Sequence, residues 1–293
     1  MDAVITYVNG LDPVWQASYE ARIGKKILDK RFRDWGTLRY LLRGIDTYMK
    51  YVDKVFLIVS GRTQVPEWVD ERNLRVVLHE DILPSAYLPL FNCNPLEMYL
   101  HRIEGLSEEF IYFNDDFFPL AESSAEDFFR KGKAVMSPSR HLLHLDMYKK
   151  ICWNSDRLAR KAAGAPAGLM FLRPQHICAP MLRSSSEKLF QMCRKEIDQT
   201  AARPLRTEKD LNQYLYTDYM FLTGQTVPGR LSNRHFSLAA ASIDKICAFV
   251  ENPDRQFACI NDVHLSQEKF EAFRQKLLAS FEKRLPVRSR FEK

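Results

Sequence analysis

The sequence contains no apolar run near the ~20 residues that a helix needs to cross a bilayer. It also lacks a signal-peptide pattern: a strand-like segment begins almost at Met1, with no charged region and apolar core before it. The six cysteines (Cys93, Cys152, Cys178, Cys193, Cys247 and Cys259) show no CxxC or zinc-like spacing. Scattered cysteines in apolar surroundings behave as small core residues of a reducing compartment. Lys/Arg-rich blocks are few and no nucleic-acid motif is present, so nucleic-acid binding has no support. Internal repeats and low-complexity tracts are missing too. These absences leave a cytoplasmic protein as the expectation, peripheral to the inner membrane at most.

Two positive bounds follow. A chain of 293 residues, 46% hydrophobic, has enough apolar material for one large α/β domain or two small ones. The formal charge of +6 suits an anionic substrate or an acidic membrane surface without establishing either.

The most informative stretch is Phe110-Ile-Tyr-Phe-Asn-Asp-Asp-Phe-Phe118. An apolar run leads straight into Asn114, Asp115 and Asp116. This predicts a strand covered on both faces, as in a parallel sheet, delivering two carboxylates to its carboxyl end. Adjacent carboxylates repel unless a cation, hydrogen bonds or solvent offset their charge. A divalent-metal site and an Asn/Asp turn both fit these residues.

Three further strands are expected at 3–8, 54–59 and 74–78. The first ends in Asn9-Gly10-Leu11-Asp12-Pro13, read as a tight connection. Between the first two, Leu38, Leu41, Leu42, Ile45, Tyr48 and Met49 have helical spacing, with Thr37 as N-cap. Strand, helix, strand predicts a parallel βαβ unit. Arg39 and Arg43 share one side of that helix, normally a solvated face, while Arg33 and Arg39 near its start could meet an anion. His79 reads as a structural loop residue. Asn94, Pro95 and Glu97 form a capping-box-like start to a helix running on to Gly105, which gives Glu97 a local structural role.

Every expected strand end opens into polar residues: Asn9/Asp12, Ser60/Arg62, His79/Asp81 and Asn114/Asp115/Asp116. In a parallel sheet these clusters line one edge, where a nucleotide or phosphate binds. The second half reads as more helical, with helices at 156–163, 184–197, 208–222 and 267–285. His176 sits in a loop bracketed by Pro174 and Pro180. A late strand at 257–260 ends in Asn261-Asp262, echoing the earlier Asn-Asp pair. The basic end of the last helix reads as a solvated tail, with contact to anionic lipid as the alternative.

These residues together resemble the Stealth family of sugar-1-phosphate transferases. Asp2 to Trp15 is similar to its first conserved region. Arg31-Phe-Arg-Asp34, Leu38 to Ile45 and the run Leu88 to Phe118 resemble the second. His176 through Arg206 and Asp210 resemble the third, and Cys259-Ile-Asn-Asp262 the fourth. Tyr7 stands where the family usually has Trp, and Cys93 where Ser is common.

The resemblance implies a nucleotide-sugar-transferase (GT-A/Rossmann-like) α/β fold in a single catalytic domain. Residues 1–120 would be the nucleotide-sugar-binding half and 121–293 the helix-rich half completing the site. It implies transfer of a sugar-1-phosphate from a donor such as a UDP-N-acetylhexosamine to a glycan hydroxyl. Asp115 and Asp116 would hold Mg²⁺ (or Mn²⁺), His176 would be the general base, Arg206 would stabilise phosphate charge, and Glu97 would be a second site carboxylate. Asn9, Gly10, Asp12, Arg33, Arg39, Asn114, Asp210, Asn261 and Asp262 would bind substrate. Expected partners are the donor, a polysaccharide acceptor, and a peripheral contact with the inner membrane face or the capsule assembly machinery. The competing expectations are a metal-dependent glycosyltransferase releasing nucleoside diphosphate and a non-catalytic nucleotide-sugar-binding protein.

Overall fold

A computed structural model of the chain describes residues 1–25, 32–263 and 265–293; Arg31 lies outside them. The first half runs β1 (Asp2–Thr6), α1 (Pro13–Ile23), α2 (Leu38–Tyr48), β2 (Val55–Val59), β3 (Arg75–Leu78), α3 (His79–Ile82), α4 (Cys93–Glu97) and β4 (Glu109–Asn114). The short strands β5 (Phe117–Pro119), β6 (Phe129–Arg130), β7 (Lys133–Val135) and β8 (Ser139–His141) follow. Next come α5 (Met147–Ala163), β9 (Phe171–Arg173), β10 (Ala179–Leu182), α6 (Arg183–Met192), α7 (Arg194–Ala201) and α8 (Tyr214–Leu222). The chain closes with β11 (Thr226–Val227), β12 (Asn233–Ser237), α9 (Ile243–Glu251), β13 (Phe257–Asn261) and α10 (Gln267–Arg284).

The main sheet has the order β10-β4-β1-β2-β3. Strands β1 to β4 are parallel, as the βαβ spacing requires, and β10 joins the β4 edge antiparallel. Strand periodicity sorts the side chains onto two faces. Val4, Phe56, Ile58, Phe110 and Tyr112 pack with Leu189, Phe190, Leu215 and Tyr216 of α6 and α8. Ile5, Leu57, Val59, Ile111 and Phe113 pack with Leu41, Leu42 and Ile45 of α2 and Phe281 of α10. Each such side chain contributes roughly 1.5–3 kcal/mol when fully buried, so both faces must be covered, and they are. Gly44 lets α2 touch the backbone of β5, since a Cβ there would stand 2.4 Å from the Pro119 carbonyl oxygen.

Several local expectations change. Residues 9–13 are a helix start: Asp12 accepts a hydrogen bond from Val14 N, and Pro13 suits the first turn of α1. The cap of α4 is Asn92, not Asn94, and the helix ends at Glu97. Thr37 precedes α2 without a side-chain cap bond. The helix expected over 184–197 breaks at Cys193 into α6 and α7. The one expected over 208–222 begins only at Tyr214. The second half is also richer in strands than expected. The basic C-terminal end folds back: Phe291 is buried, and Glu292 pairs with Arg43 at 2.9 Å. Arg43 also meets Glu282 at 2.9 Å, so it is buried rather than on a solvated face. All six cysteines are free.

Candidate active site

The carboxyl ends of β1, β2 and β4 open into a cleft of about 620 Å³. Thr6 pairs with Asn114 in register, so the ends of β1 and β4 are level. Two antiparallel pairings bring distant segments to the same place. Ala179 of β10 pairs with Tyr112 of β4, and reading that register backwards brings His176 level with the end of β4. Cys259 of β13 pairs with Phe117 of β5, and Ile260 N donates to the Asp116 carbonyl at 3.0 Å. The Asn261-Asp262 pair thereby meets Asn114-Asp115-Asp116. Asn114, Asp115, Asp116, Asn261 and Asp262 line the cleft, with His176, Arg206 and Glu97.

Asp115 and Asp116 sit where their charge is poorly compensated. Burial, then Asp116, Asp34 and Asp262, push the Asp115 carboxyl up to about 8. Burial pushes Asp116 up to about 7, against the pull of hydrogen bonding and Arg206. Oδ1 of Asp116 is buried with no hydrogen-bond partner. Such an oxygen-rich, charge-loaded pair fits a hard divalent cation, which would offset the repulsion.

A second donor set lies alongside. His235 and Cys259 face each other in register on β12 and β13, and their donor atoms and that of His176 lie within 4.8 Å of one another. Nitrogen and sulfur suit a softer ion. Burial and Asp116 push the Cys259 thiol up, away from the thiolate such an ion needs. The oxygen pair is the better-fitted cation site.

Glu97 makes no capping bond to Asn94. Its Oε2 accepts from Gln213 N at 2.8 Å and its Oε1 from the Tyr112 hydroxyl at 3.2 Å. With its amide turned to face the carboxylate, Gln213 also donates to Oε2 at 2.6 Å. Burial pushes Glu97 up to about 7. Arg206 donates to the Cys93 sulfur at 2.7 Å, and burial holds Cys93 as a thiol by pushing it up to about 11. Cys93 and Glu97 beside it raise the already high pKa of Arg206, so its charge is fixed.

His176 is held by two tyrosines. Its Nδ1 lies 3.2 Å from the Tyr148 hydroxyl and 3.5 Å from that of Tyr214. Phe117 and His235 contact its ring edge-to-face at 5.4 and 5.6 Å. Burial, then His235, Arg173 and Arg206, lower it to about 4. The ring is therefore neutral at physiological pH and can accept a proton.

Five expected substrate-binding residues do not line the cleft. Asn9 and Asp12 brace the start of α1. Asn9 caps Leu11 N at 2.9 Å, and Asp12 accepts from Thr63 and Gln64 at 2.6 and 2.7 Å. Gly10 is a packing requirement: a Cβ would stand 2.2 Å from the Phe32 carbonyl oxygen. Arg39 turns away to Glu292 at 3.2 Å and stacks over Trp68. Asp210 is buried, accepting from Asn92 at 2.7 Å and from the Thr207 hydroxyl at 2.8 Å. It ties the cap of α4 to the loop that carries Arg206. Arg33 does line the cleft, held by the Leu265 carbonyl at 3.0 Å and by Phe270.

The cleft also contains residues not singled out as site residues: Asp34, Arg173, His235 and Cys259's neighbour Ile260 among them, with His79 in the wall. Asp34 lies within the Arg31–Asp34 motif, and Arg173 within three residues of His176, so both were within reach of the sequence. His235 had no local signal; only the strand register places it.

The profile of Stealth protein CR2, conserved region 2, matches residues 31–136. Capsular polysaccharide phosphotransferase cps1A of Actinobacillus pleuropneumoniae is 31% identical over 249 residues, covering 78% of this chain and 67% of that protein. The chain belongs to the Stealth family. Similarity to other relatives of this Stealth chain runs end to end. Capsular polysaccharide phosphotransferase WcwK of Streptococcus pneumoniae is 28% identical over 100% of this chain and 99% of its own. Receptor polysaccharide phosphotransferase WefC of Streptococcus oralis is 29% identical over the same shares. Among solved structures, the galactosyltransferase LgtC overlaps this Stealth chain with a TM-score of 0.45 at 10% identity, covering 95% of this chain and 96% of the other. That overlap is too loose to carry an argument about chemistry.

Proposed function

We propose that this protein transfers a sugar-1-phosphate from a nucleotide-diphosphate sugar, such as a UDP-N-acetylhexosamine, to a glycan hydroxyl in capsule or cell-surface polysaccharide synthesis. The observation that carries it is the convergence of Asp115, Asp116, Glu97, His176 and Arg206 on one cleft at the sheet's carboxyl edge. The phosphotransferase names of the end-to-end relatives support the reaction class. The whole chain would act as one catalytic unit, because the first half brings the acids and the second brings His176 and Arg206.

In this reading Asp115 and Asp116 would hold Mg²⁺ (or Mn²⁺). When bound, the ion neutralises diphosphate charge and so eases departure of the nucleoside monophosphate. His176 takes the proton from the acceptor hydroxyl as its oxygen bonds to the β-phosphorus. The bond from that phosphorus to the bridging oxygen breaks, and the monophosphate carries away the electron pair. Arg206 donates hydrogen bonds to the phosphoryl oxygens. Asn114, Asn261, Asp262 and Arg33 would contact donor or acceptor. Asp210 positions Arg206 from behind.

Product analysis with a panel of nucleotide sugars and a capsule oligosaccharide tests this. The expected products are a nucleoside monophosphate and a phosphodiester-linked glycan. Release of nucleoside diphosphate would identify a glycosyltransferase instead, and donor binding with no nucleotide release would identify a binding protein.

A further inference from the structure

Of the ten large apolar side chains that are exposed among the described residues, six sit together: Leu142, Leu143, Leu145, Met147, Leu169 and Met170, each between 42% and 88% exposed. The loop between β8 and α5, the first residue of α5 and the loop between α5 and β9 carry them. The pairing of His141 with Phe171 sets the loops side by side. Nothing in the core uses these side chains. Exposed apolar groups scattered singly need no explanation, but a cluster in one place marks an interaction surface.

The flank of this apolar tip is basic. His144, inside the first loop, stacks on Trp153 at 4.9 Å. Trp153 opens a groove of about 450 Å³ whose charged lining is Arg157, Arg160, Lys161, Arg203 and Lys209 against Glu196. Arg157 packs over Trp153 and reaches the Gly168 carbonyl in the second loop, which joins the groove to the tip. Asp146 and Glu208 offset Lys149 and Lys150 nearby, and within the groove Arg160, Lys161 and Arg203 pair with Asp156, Glu196 and Asp210, whereas Arg140 and Arg157 form no ion pair among the described residues. No helix of the described residues is long and apolar enough to cross a membrane.

We propose that this tip and its basic flank dock the protein on an anionic lipid surface. The leucines and methionines would enter the headgroup boundary while Arg140, Arg157 and Lys161 meet lipid phosphates. The ion-pair-free Arg140 and Arg157 beside the apolar tip match a surface that sets lipid phosphates next to an acyl boundary. The tip also adjoins the cleft: Tyr148 follows Met147, and Arg173 lies three residues beyond Met170, and both line it. Docking would thus hold the cleft mouth against the membrane. It rests on the two loops and not on the transfer reading, so either can fail alone.

Co-sedimentation of the full chain with phosphatidylcholine vesicles, with and without phosphatidylglycerol, tests it. The wild type is expected to sediment with the phosphatidylglycerol vesicles, and salt should weaken the binding. Leu143→Glu with Leu145→Glu should cut the bound fraction at least about ten-fold, with melting temperature and turnover on soluble substrates unchanged. Arg157→Glu with Lys161→Glu should weaken binding to the anionic vesicles alone. Failure of the folded wild type to bind, or full binding by both double variants, would overturn the proposal. So would a wild-type dimer in light scattering that Leu143→Glu with Leu145→Glu dissolves, which would make the tip an interface between copies.

Discussion

The Tyr148 hydroxyl lies 3.2 Å from Nδ1 of His176, and 2.7 Å from the hydroxyl of Tyr214. For Nε2 of His176 to receive a proton, Nδ1 must carry the hydrogen and donate it to the Tyr148 oxygen. Tyr148 can then donate onward to Tyr214. His176→Ala should lower turnover by roughly 10²–10⁴-fold, the usual worth of a general base, with melting temperature near wild type. Tyr148→Phe should cost roughly ten-fold in kcat, a part of that same term, leave KM in place and move the pH profile. An active His176→Ala protein would remove the base assignment.

The two adjacent acids predict dependence on a divalent ion. Chelation with EDTA should abolish transfer, and Mg²⁺ should restore it. Asp116→Asn should be inactive at every Mg²⁺ concentration while its melting temperature stays near wild type. Mg²⁺ should raise the melting temperature of the wild type and not of the variant. Unchanged turnover in EDTA would dispose of the metal reading.

Glu97 supplies a pH test. Its pKa rises from the ordinary 4.5 to about 7 on folding, because burial disfavours the carboxylate. Between those values the folded state binds more protons than the unfolded one, so stability falls as pH rises through that window. The loss is complete above about pH 7. Glu97→Gln has no such loss. Its melting temperature relative to wild type should therefore rise between pH 5 and pH 8, read by thermal unfolding at each pH. A flat difference would mean that Glu97 is already ionised at pH 5.

The Arg43 and Glu292 side chains are 4% and 3% exposed and share two hydrogen bonds, at 2.9 and 3.1 Å. Removing Glu292 leaves the buried Arg43 with only the half-exposed Glu282 as a counter-charge. Glu292→Ala should lower unfolding stability by roughly 3 kcal/mol, measured by urea denaturation. The residual contacts of Arg43 to Glu282 and the Leu285 carbonyl limit that loss.

The parallel strands, the crossover helix and the Asn-Asp-Asp end of β4 were legible from the sequence alone. Each depends on local apolar periodicity, and burial on both faces of a sheet leaves a continuous apolar run behind. The scattered cysteines read as small core residues, and Cys152, Cys178, Cys193 and Cys259 are buried. The motif resemblance also picks out His176, Arg206 and Glu97, and all three line the cleft. What the sequence could not separate is a polar residue that faces the cleft from one that braces it. Asn9, Asp12 and Asp210 are short polar residues near strand ends or site loops, and so are Asn114 and Asp262. Only the direction of each side chain tells them apart, and that direction is set by partners distant in sequence: Thr63 and Gln64 for Asp12, Asn92 for Asp210. His235 was invisible for the same reason, since it reaches the site through its register with Cys259. The sequence by itself determined which chemistry the chain carries. Tertiary structure decided which residues meet, because strand pairing between segments far apart in the chain aligns side chains that no local pattern connects.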